Sequence, residues 1–203
     1  MKIICIGRNY AEHAKEMNAA VPTEPVFFLK PDTALIKDNQ PFYYPDFSKE
    51  IHHEVELVLK INKPGKNIAV EFAHKYCDEI GIGIDFTARD IQAKCKEKGL
   101  PWEKAKAFDG SAPIGQFINK NKLKEMNNIA FHLTLNGNIV QQGNTNDLLF
   151  SFDTVISYIS KFFTLKTGDL IFTGTPEGVG AVAIGDRLEA YIENEKLLNF
   201  EIK

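Results

Sequence analysis

The chain has 203 residues, which is enough for one domain with a sizeable buried core. Hydrophobic residues make up 44% and charged residues 25% of it, as in ordinary soluble globular proteins. The formal net charge of −3 excludes the strongly basic surface that binders of nucleic acid or of anionic membranes carry. We therefore expect one domain over residues 1–203, with neither nucleic acid nor a membrane as a partner.

The cysteines and the first residues predict the cellular compartment. Cys5, Cys77 and Cys95 are odd in number and widely spaced, as is usual for reduced thiols. We expect Cys5 and Cys77 to be buried and Cys95 to face outward on a helix. No apolar run reaches the length of a membrane span, and the start of the chain lacks a signal-peptide pattern. These features predict a cytoplasmic protein.

A first strand is predicted at the start of the chain, and a short helix follows it. Asn9 is a suitable N-cap, and the alanines and long side chains after it favour a helix as far as Met17. On that helix His13 and Glu16 are three residues apart, so they lie on one face.

The next hundred residues alternate between extended and helical patterns. Five prolines restrict Val21–Pro45 to turns and short extended pieces, among which Phe27–Lys30 is the one clear strand. His52–Lys60 alternates like a strand, and helices are predicted over Ala69–Cys77 and from Thr87 to a stop at Gly99.

Hairpins dominate the remainder of the chain. Asn136-Gly137 between two apolar runs predicts a type I′ turn, and Arg187–Ile202 reads as a closing hairpin. Between them, the apolar spacing of Phe152–Phe163 predicts an amphipathic helix capped by Ser151. Strands outnumber helices without regular alternation, so the predicted class is α+β, mainly β.

Three carboxylates form a candidate metal site. Glu54 and Glu56 point to one face of their predicted strand, and Asp85 ends the apolar strand Ile80–Ile84. An all-oxygen set of this kind selects Mg²⁺, Mn²⁺ or Ca²⁺ and leaves coordination positions for a chelating substrate. The alternative is that the glutamates are solvent-facing residues of an edge strand. His52 lies on the same face of the strand. We expect it to have a structural role or to support the metal ligands rather than to bind the metal itself.

His13 and Glu16 are candidates for a catalytic pair. A carboxylate beside an imidazole orients the ring and raises its basicity, as a general base for water requires. The alternative is a surface pair that stabilises the helix by a few tenths of a kcal/mol. Glu12 is about a third of a turn away and is the weaker partner.

Two further segments could contact a ligand. Alternation predicts that Lys104 and Lys106 share a face, and a lysine near a metal could bind a substrate carboxylate or a developing enolate. Thr173–Gly180 resembles a loop whose hydroxyl and N–H groups converge on an anion. It has neither the P-loop ending nor the spacing of a dinucleotide site, so a nucleotide is not expected.

Together these segments resemble the fumarylacetoacetate hydrolase family, and most closely its single-domain acylpyruvase and oxaloacetate decarboxylase branch. The matching stretches follow the family's order over nearly the whole chain, and they are Gly7–Met17, Glu24–Pro31, His52–Leu57, Gly83–Asp90, Gly99–Phe108, Gly143–Phe150 and Thr173–Gly180. The lid after Met17 departs from the family's pattern, so the distal group of the substrate stays open.

The resemblance implies a mixed β-sandwich roll that forms a homodimer and binds Mg²⁺ or Mn²⁺, with Ca²⁺ as a possible substitute in crystals. It implies roles for nine side chains: Glu54, Glu56 and Asp85 as metal ligands, His13, Glu16 and Lys106 in catalysis, and Arg89, Gln92 and Thr175 near the substrate carboxylate.

The expected activity is cleavage of the C3–C4 bond of a 2,4-dioxo acid (an acylpyruvate), or decarboxylation of oxaloacetate. Both reactions leave a pyruvate enolate, which a metal and Lys106 would stabilise. An isomerase or keto–enol tautomerase would form the same kind of enolate without breaking that bond. A non-catalytic module that binds a metal or a small molecule is the alternative from another class.

Overall fold

The computed structural model describes residues 1–16 and 20–203. Fifteen strands are present in these residues: β1 Ile3–Gly7, β2 Val26–Lys30, β3 Leu35–Ile36, β4 Ile51–His53, β5 Val55–Ile61, β6 Cys77–Ile84, β7 Thr87–Ala88, β8 Ala112–Pro113, β9 Ile118–Asn119, β10 Ala130–Leu135, β11 Asn138–Asn144, β12 Leu170–Phe172, β13 Gly180–Ala181, β14 Arg187–Ile192 and β15 Glu195–Glu201.

Helices are fewer and shorter. In the same described ranges the α-helices are α1 Ala11–Glu16, α2 Val70–Ala73, α3 Arg89–Lys98, α4 Glu103–Lys106 and α5 Phe152–Phe162. The 3₁₀ turns span Asp32–Ala34, His74–Tyr76, Lys120–Lys122 and Thr145–Asp147. None of the helices that the structure describes combines the length and the apolar character that crossing a membrane requires.

The strands form a large mixed sheet and three smaller sheets. The six-stranded sheet has the order β2-β1-β12-β5-β6-β9, in which β1 and β12 are parallel and the other pairs antiparallel. A four-stranded sheet has the order β11-β10-β14-β15, and short strands form β13-β4-β7 and β3-β8. The predicted α+β, mainly β class with a mixed sheet is confirmed.

The core covers both faces of the large sheet. On one face, Leu57 and Leu59 of β5 belong to a cluster that also contains Leu133 and Leu188 of the four-stranded sheet. On the other face, Val58 belongs to a second cluster, with Phe172 of β12. Because β5 is covered on both faces, its sequence is nearly continuous in apolar residues rather than alternating.

A break in one predicted strand positions the site. The sequence predicts a single strand over His52–Lys60, but the chain leaves one sheet and enters another at Glu54, between β4 and β5. At the same level β6 ends, and the Asp85 N–H donates to the Glu54 carbonyl at 2.8 Å. The carboxylates of the two strands therefore meet where the sheet ends.

Four local predictions are wrong. Asn9 does not cap α1, because its side chain bonds the backbone of Phe150 and of Thr173. The helix predicted over Ala69–Cys77 ends early, and Cys77 begins β6. Cys95 is buried rather than exposed. Lys104 and Lys106 lie on α4, not on a strand, so only Lys106 points inward.

Other local predictions are confirmed. Ser151 accepts a hydrogen bond from the Thr154 N–H as the N-cap of α5. Asn136 and Gly137 both have positive φ, 52° and 81°, as a type I′ turn requires. Met17 and the start of the predicted lid lie outside the described residues.

Candidate active site

Glu54, Glu56 and Asp85 meet in one buried group. Each offers a carboxylate oxygen within 4.8 Å of the others, and the three residues are 5%, 2% and 1% exposed. This geometry excludes the alternative in which the glutamates face solvent on an edge strand. Strand register explains the approach, since Glu56 pairs with Gly83 two residues before Asp85.

Three basic side chains contact two of these carboxylates. Lys106 Nζ lies 2.7 Å from Glu54 Oε2 and 2.8 Å from Asp85 Oδ2. Arg89 Nη2 lies 2.6 Å from Glu54 Oε1. Lys30 Nζ lies 2.8 Å from Asp85 Oδ1. Burial alone would raise the pKa of Glu54, but Lys106 and Arg89 hold it well below its ordinary range.

Glu56 has a different environment. Its carboxylate accepts a hydrogen bond from the Gly174 N–H at 2.7 Å, and none of the basic side chains that the structure describes forms an ion pair with it. Burial, and after it the charge of Asp85, raises the pKa of Glu56 well above its ordinary value. Lys106 offsets this rise only in part, because the same ammonium is held by Glu54 and Asp85.

The predicted pair of His13 and Glu16 is formed. His13 is 7% exposed, and its Nδ1 lies 3.1 Å from Glu16 Oε2. Glu16 Oε1 accepts a hydrogen bond from the Gly178 N–H at 3.1 Å, so the pair is attached to the Thr173–Gly180 loop. If Nδ1 carries the hydrogen, Nε2 is the ring nitrogen that can take a proton.

The residues implied near the substrate lie beside the carboxylates. Arg89 Nη1 donates to Gln92 Oε1 at 2.7 Å, and Thr175 Oγ1 lies 2.9 Å from Gln141 Nε2. A narrow cleft of about 50 Å³ brings together eight of the nine predicted side chains: His13, Glu54, Glu56, Asp85, Arg89, Gln92, Lys106 and Thr175. The ninth, Glu16, is joined to the cleft through its contact with His13 Nδ1.

Sequence reasoning missed Lys30. It ends β2, is 3% exposed, and bonds the Lys106 carbonyl and Ser111 Oγ as well as Asp85. A lysine at the end of an apolar strand is a signal of a paired charge, but its partner is 55 residues away in the sequence.

The donor set fits a hard divalent ion. Three carboxylate oxygens converge, and hard ions such as Mg²⁺, Mn²⁺ and Ca²⁺ prefer oxygen ligands. When all three carboxylates are ionised, as metal binding requires, their three negative charges balance the three positive charges of Lys30, Arg89 and Lys106. A divalent ion would therefore make the site positive overall and would compete with Lys106 for its two carboxylates.

We expect Lys30→Met to destabilise the fold by about 3–5 kcal/mol, because it leaves the buried Asp85 carboxylate without one of its partners. Lys60→Met is the matched control, since the Lys60–Glu79 pair at 2.6 Å is about 40% exposed and contributes about 0–1 kcal/mol. Urea unfolding of both variants measures the difference. Equal losses would show that Lys30 has no special role at Asp85.

The chain is similar to known proteins over nearly its whole length. Residues 2–201 match the family model described as fumarylacetoacetate (FAA) hydrolase C-terminal. The chain is 43% identical to the oxaloacetate tautomerase FAHD1, mitochondrial, of Mus musculus, over 99% of this chain and 91% of that protein. It is 44% identical to the oxaloacetate decarboxylase, mitochondrial, of Dictyostelium discoideum, over 94% and 88%.

A solved structure agrees with this assignment. The fumarylpyruvate hydrolase of Pseudomonas aeruginosa, in complex with Mn²⁺ and pyruvate, superposes with a TM-score of 0.94 at 39% identity. The alignment covers 100% of this chain and 89% of that one. The fold, the matched range and the identities all agree, and the chain belongs to the fumarylacetoacetate hydrolase family.

Proposed function

We propose that this protein is a divalent-metal-dependent enzyme that interconverts the keto and enol forms of oxaloacetate. The observation that carries the proposal is the buried group of Glu54, Glu56 and Asp85, whose ionised form is balanced in charge by three basic side chains. Adding a divalent ion gives the cleft a surplus of two positive charges. A dianionic 2-oxo acid restores the balance, and oxaloacetate is such an acid.

Glu54, Glu56 and Asp85 would hold the ion, with Mg²⁺ or Mn²⁺ as the proposed metal. When bound, the ion supplies positive charge that favours an enolate over the keto acid. Support comes from the P. aeruginosa relative, which was crystallised with Mn²⁺ and pyruvate. Arg89, Gln92 and Thr175 bind and orient the substrate carboxylate.

His13 and Lys106 carry the proton transfer and the charge. With its Nδ1–H donated to Glu16, His13 takes the C3 proton at Nε2. Burial opposes the charge of Lys106, but Asp85 and Glu54 outweigh it and raise its pKa. Lys106 therefore stays charged and donates a hydrogen bond to the developing enolate oxygen. Return of the C3 proton from His13 Nε2 to that oxygen gives the enol and regenerates the base.

Cleavage of the C3–C4 bond, the reaction expected first from the sequence, is the second candidate. The His13–Glu16 pair favours it, because the same base could activate a water that attacks C4 of an acylpyruvate. Oxaloacetate would lose CO₂ without that water. The similarity to the D. discoideum decarboxylase supports this candidate, and the similarity to the M. musculus tautomerase supports the first.

The proposal also covers the domain organisation, the oligomeric state, the compartment and the partners of the enzyme. We propose a single domain that works as a homodimer in the cytoplasm, without a nucleic-acid or membrane partner. The net charge of −3 supports the absence of nucleic acid. The M. musculus and D. discoideum relatives are mitochondrial, so imaging of the tagged protein in its own cells is the test of compartment. Light scattering tests the dimer.

NMR of oxaloacetate and acetylpyruvate separates the candidates, because keto, enol and pyruvate signals are resolved. We expect Mg²⁺-loaded protein to accelerate keto–enol exchange of oxaloacetate well before pyruvate accumulates, and a chelator to abolish the acceleration. Pyruvate release at the rate of exchange would favour the second candidate. No acceleration of either process would refute both.

Lys106→Met and Lys104→Met form a matched pair in this assay, since both residues lie on α4 but only Lys106 reaches the cleft. We expect Lys106→Met to lower kcat about 10²–10³-fold, as loss of one oxyanion donor does. Lys104→Met should stay within about twofold of the wild type. Equal effects would remove Lys106 from the mechanism.

A further inference from the structure

A buried glutamine joins the four-stranded sheet to the proposed substrate loop. Gln141 lies on β11 and is 2% exposed. Its side-chain amide contacts two groups on either side of Glu54, His53 Nδ1 at 2.9 Å and the Val55 N–H at 3.0 Å. It also contacts Thr175 Oγ1 at 2.9 Å and the Pro176 carbonyl at 3.0 Å.

These backbone partners fix the orientation of the amide. A backbone N–H can only donate, so the atom beside Val55 must be the amide oxygen of Gln141. A carbonyl can only accept, so the atom beside Pro176 must be the amide nitrogen. Both partners give the same assignment. His53 Nδ1, which faces the oxygen, must then carry a hydrogen.

The assignment determines what the Thr175 hydroxyl can do. One Nε2 hydrogen of Gln141 goes to Pro176, and the other goes to Thr175 Oγ1, which therefore accepts. The hydroxyl has a single hydrogen of its own. Among the residues whose side chains the structure describes, no acceptor for that hydrogen is found, although Thr175 is 3% exposed and lines the cleft.

We propose that Gln141 is a positioning residue that holds the Thr175 hydroxyl as a hydrogen-bond donor into the cleft. The free hydrogen meets an acceptor on the substrate, such as a carboxylate oxygen, and disfavours a ligand that presents a donor there. This role rests on the proposed function, because it needs an anionic 2-oxo acid beside Thr175. Gln141 itself does not touch the substrate.

Oxalate binding to the Mn²⁺-loaded protein tests the role, since oxalate offers the same chelating pair of oxygens as the enolate of a 2-oxo acid and does not react. Calorimetry is run on the wild type, Gln141→Met, Thr175→Val and the double variant. We expect each single variant to weaken oxalate about tenfold, and the double variant to be no weaker than Thr175→Val. Gln142→Met, an exposed neighbour on β11, should stay within about twofold of the wild type.

The proposal is overturned if Gln141→Met weakens oxalate as much in the Thr175→Val protein as in the wild type. Thr175→Ser should bind oxalate more tightly than Thr175→Val, because it keeps the hydroxyl. Neutron diffraction of deuterated wild-type crystals gives a measurement that needs neither ligand nor variant. A Thr175 deuteron directed into the cleft supports the proposal, and one directed at Gln141 refutes it. Wild-type protein that binds no oxalate would instead refute the proposed function.

Discussion

Glu56→Gln is expected to lower Mn²⁺ affinity and Mg²⁺-dependent activity by at least about 100-fold. Loss of a group that merely supports a metal ligand costs 10–100-fold, and Glu56 is proposed as a ligand itself. Its carboxylate is the one of the three that no basic side chain contacts in the part of the chain that the structure describes. Mn²⁺ titration followed by electron paramagnetic resonance measures the affinity, with Glu79→Gln, a partly exposed carboxylate on β6, as the control.

Without metal, the stability of Glu56→Gln is expected to depend less on pH than the stability of the wild type does. The pKa of Glu56 is raised by burial and by Asp85, so the folded protein without metal binds this proton more tightly than the unfolded chain does. The contribution of Glu56 to the stability of the metal-free wild type therefore falls as the pH rises above the ordinary carboxyl pKa of about 4.3. Glu56→Gln has no such charge and should lose less stability over that range. A metal-free variant that loses as much stability as the wild type between about pH 4 and pH 8 would contradict this.

His13→Ala is expected to lower kcat by about 10²–10⁴-fold, the usual contribution of a positioned general base. Mn²⁺ affinity should change little, because His13 contacts Glu16 and the proposed metal ligands are Glu54, Glu56 and Asp85. Steady-state kinetics with oxaloacetate and with acetylpyruvate measure the effect.

His74→Ala is the control for His13→Ala, since that histidine is exposed and lines a different cavity. An unchanged rate on both substrates with normal metal binding would remove His13 as the base. A loss confined to acetylpyruvate cleavage would assign it to water activation and favour the second candidate function.

Short-range patterns predicted the groups that carry charge. Alternation placed Glu54 and Glu56 together, and helical spacing paired His13 with Glu16, because each rule relates residues that are close in the sequence. The approach of Asp85 followed from its place at the end of a strand. These groups are the chemical part of the site.

The residues that the sequence did not reveal act through long-range contacts. Lys30 reaches Asp85 from another strand, and Gln141 reaches Thr175 from another sheet. Asn9 has the composition of an N-cap, but tertiary packing gives its amide stronger partners in Phe150 and Thr173. No local rule encodes which distant segment will lie beside a side chain.

Lys104 and Lys106 show a different source of error. A period of two assumed a strand where Glu103–Lys106 is a helical turn, and the two lysines therefore separated. Likewise, His52–Lys60 was one strand by pattern, but the chain changes sheets at Glu54. That change of sheet brings Glu54 to the end of β6 and completes the carboxylate group.

A crystal structure of the protein with Mn²⁺ and oxalate tests most directly whether the three carboxylates hold the metal. Anomalous scattering locates the ion. We expect an anomalous peak bound by Glu54, Glu56 and Asp85, with two oxalate oxygens, one from each carboxylate, on the ion. Lys106 should be released from at least one of its two carboxylates. Two results would contradict metal binding by these carboxylates. One is a peak elsewhere, and the other is a pair of carboxylates still held by Lys106 at saturating Mn²⁺.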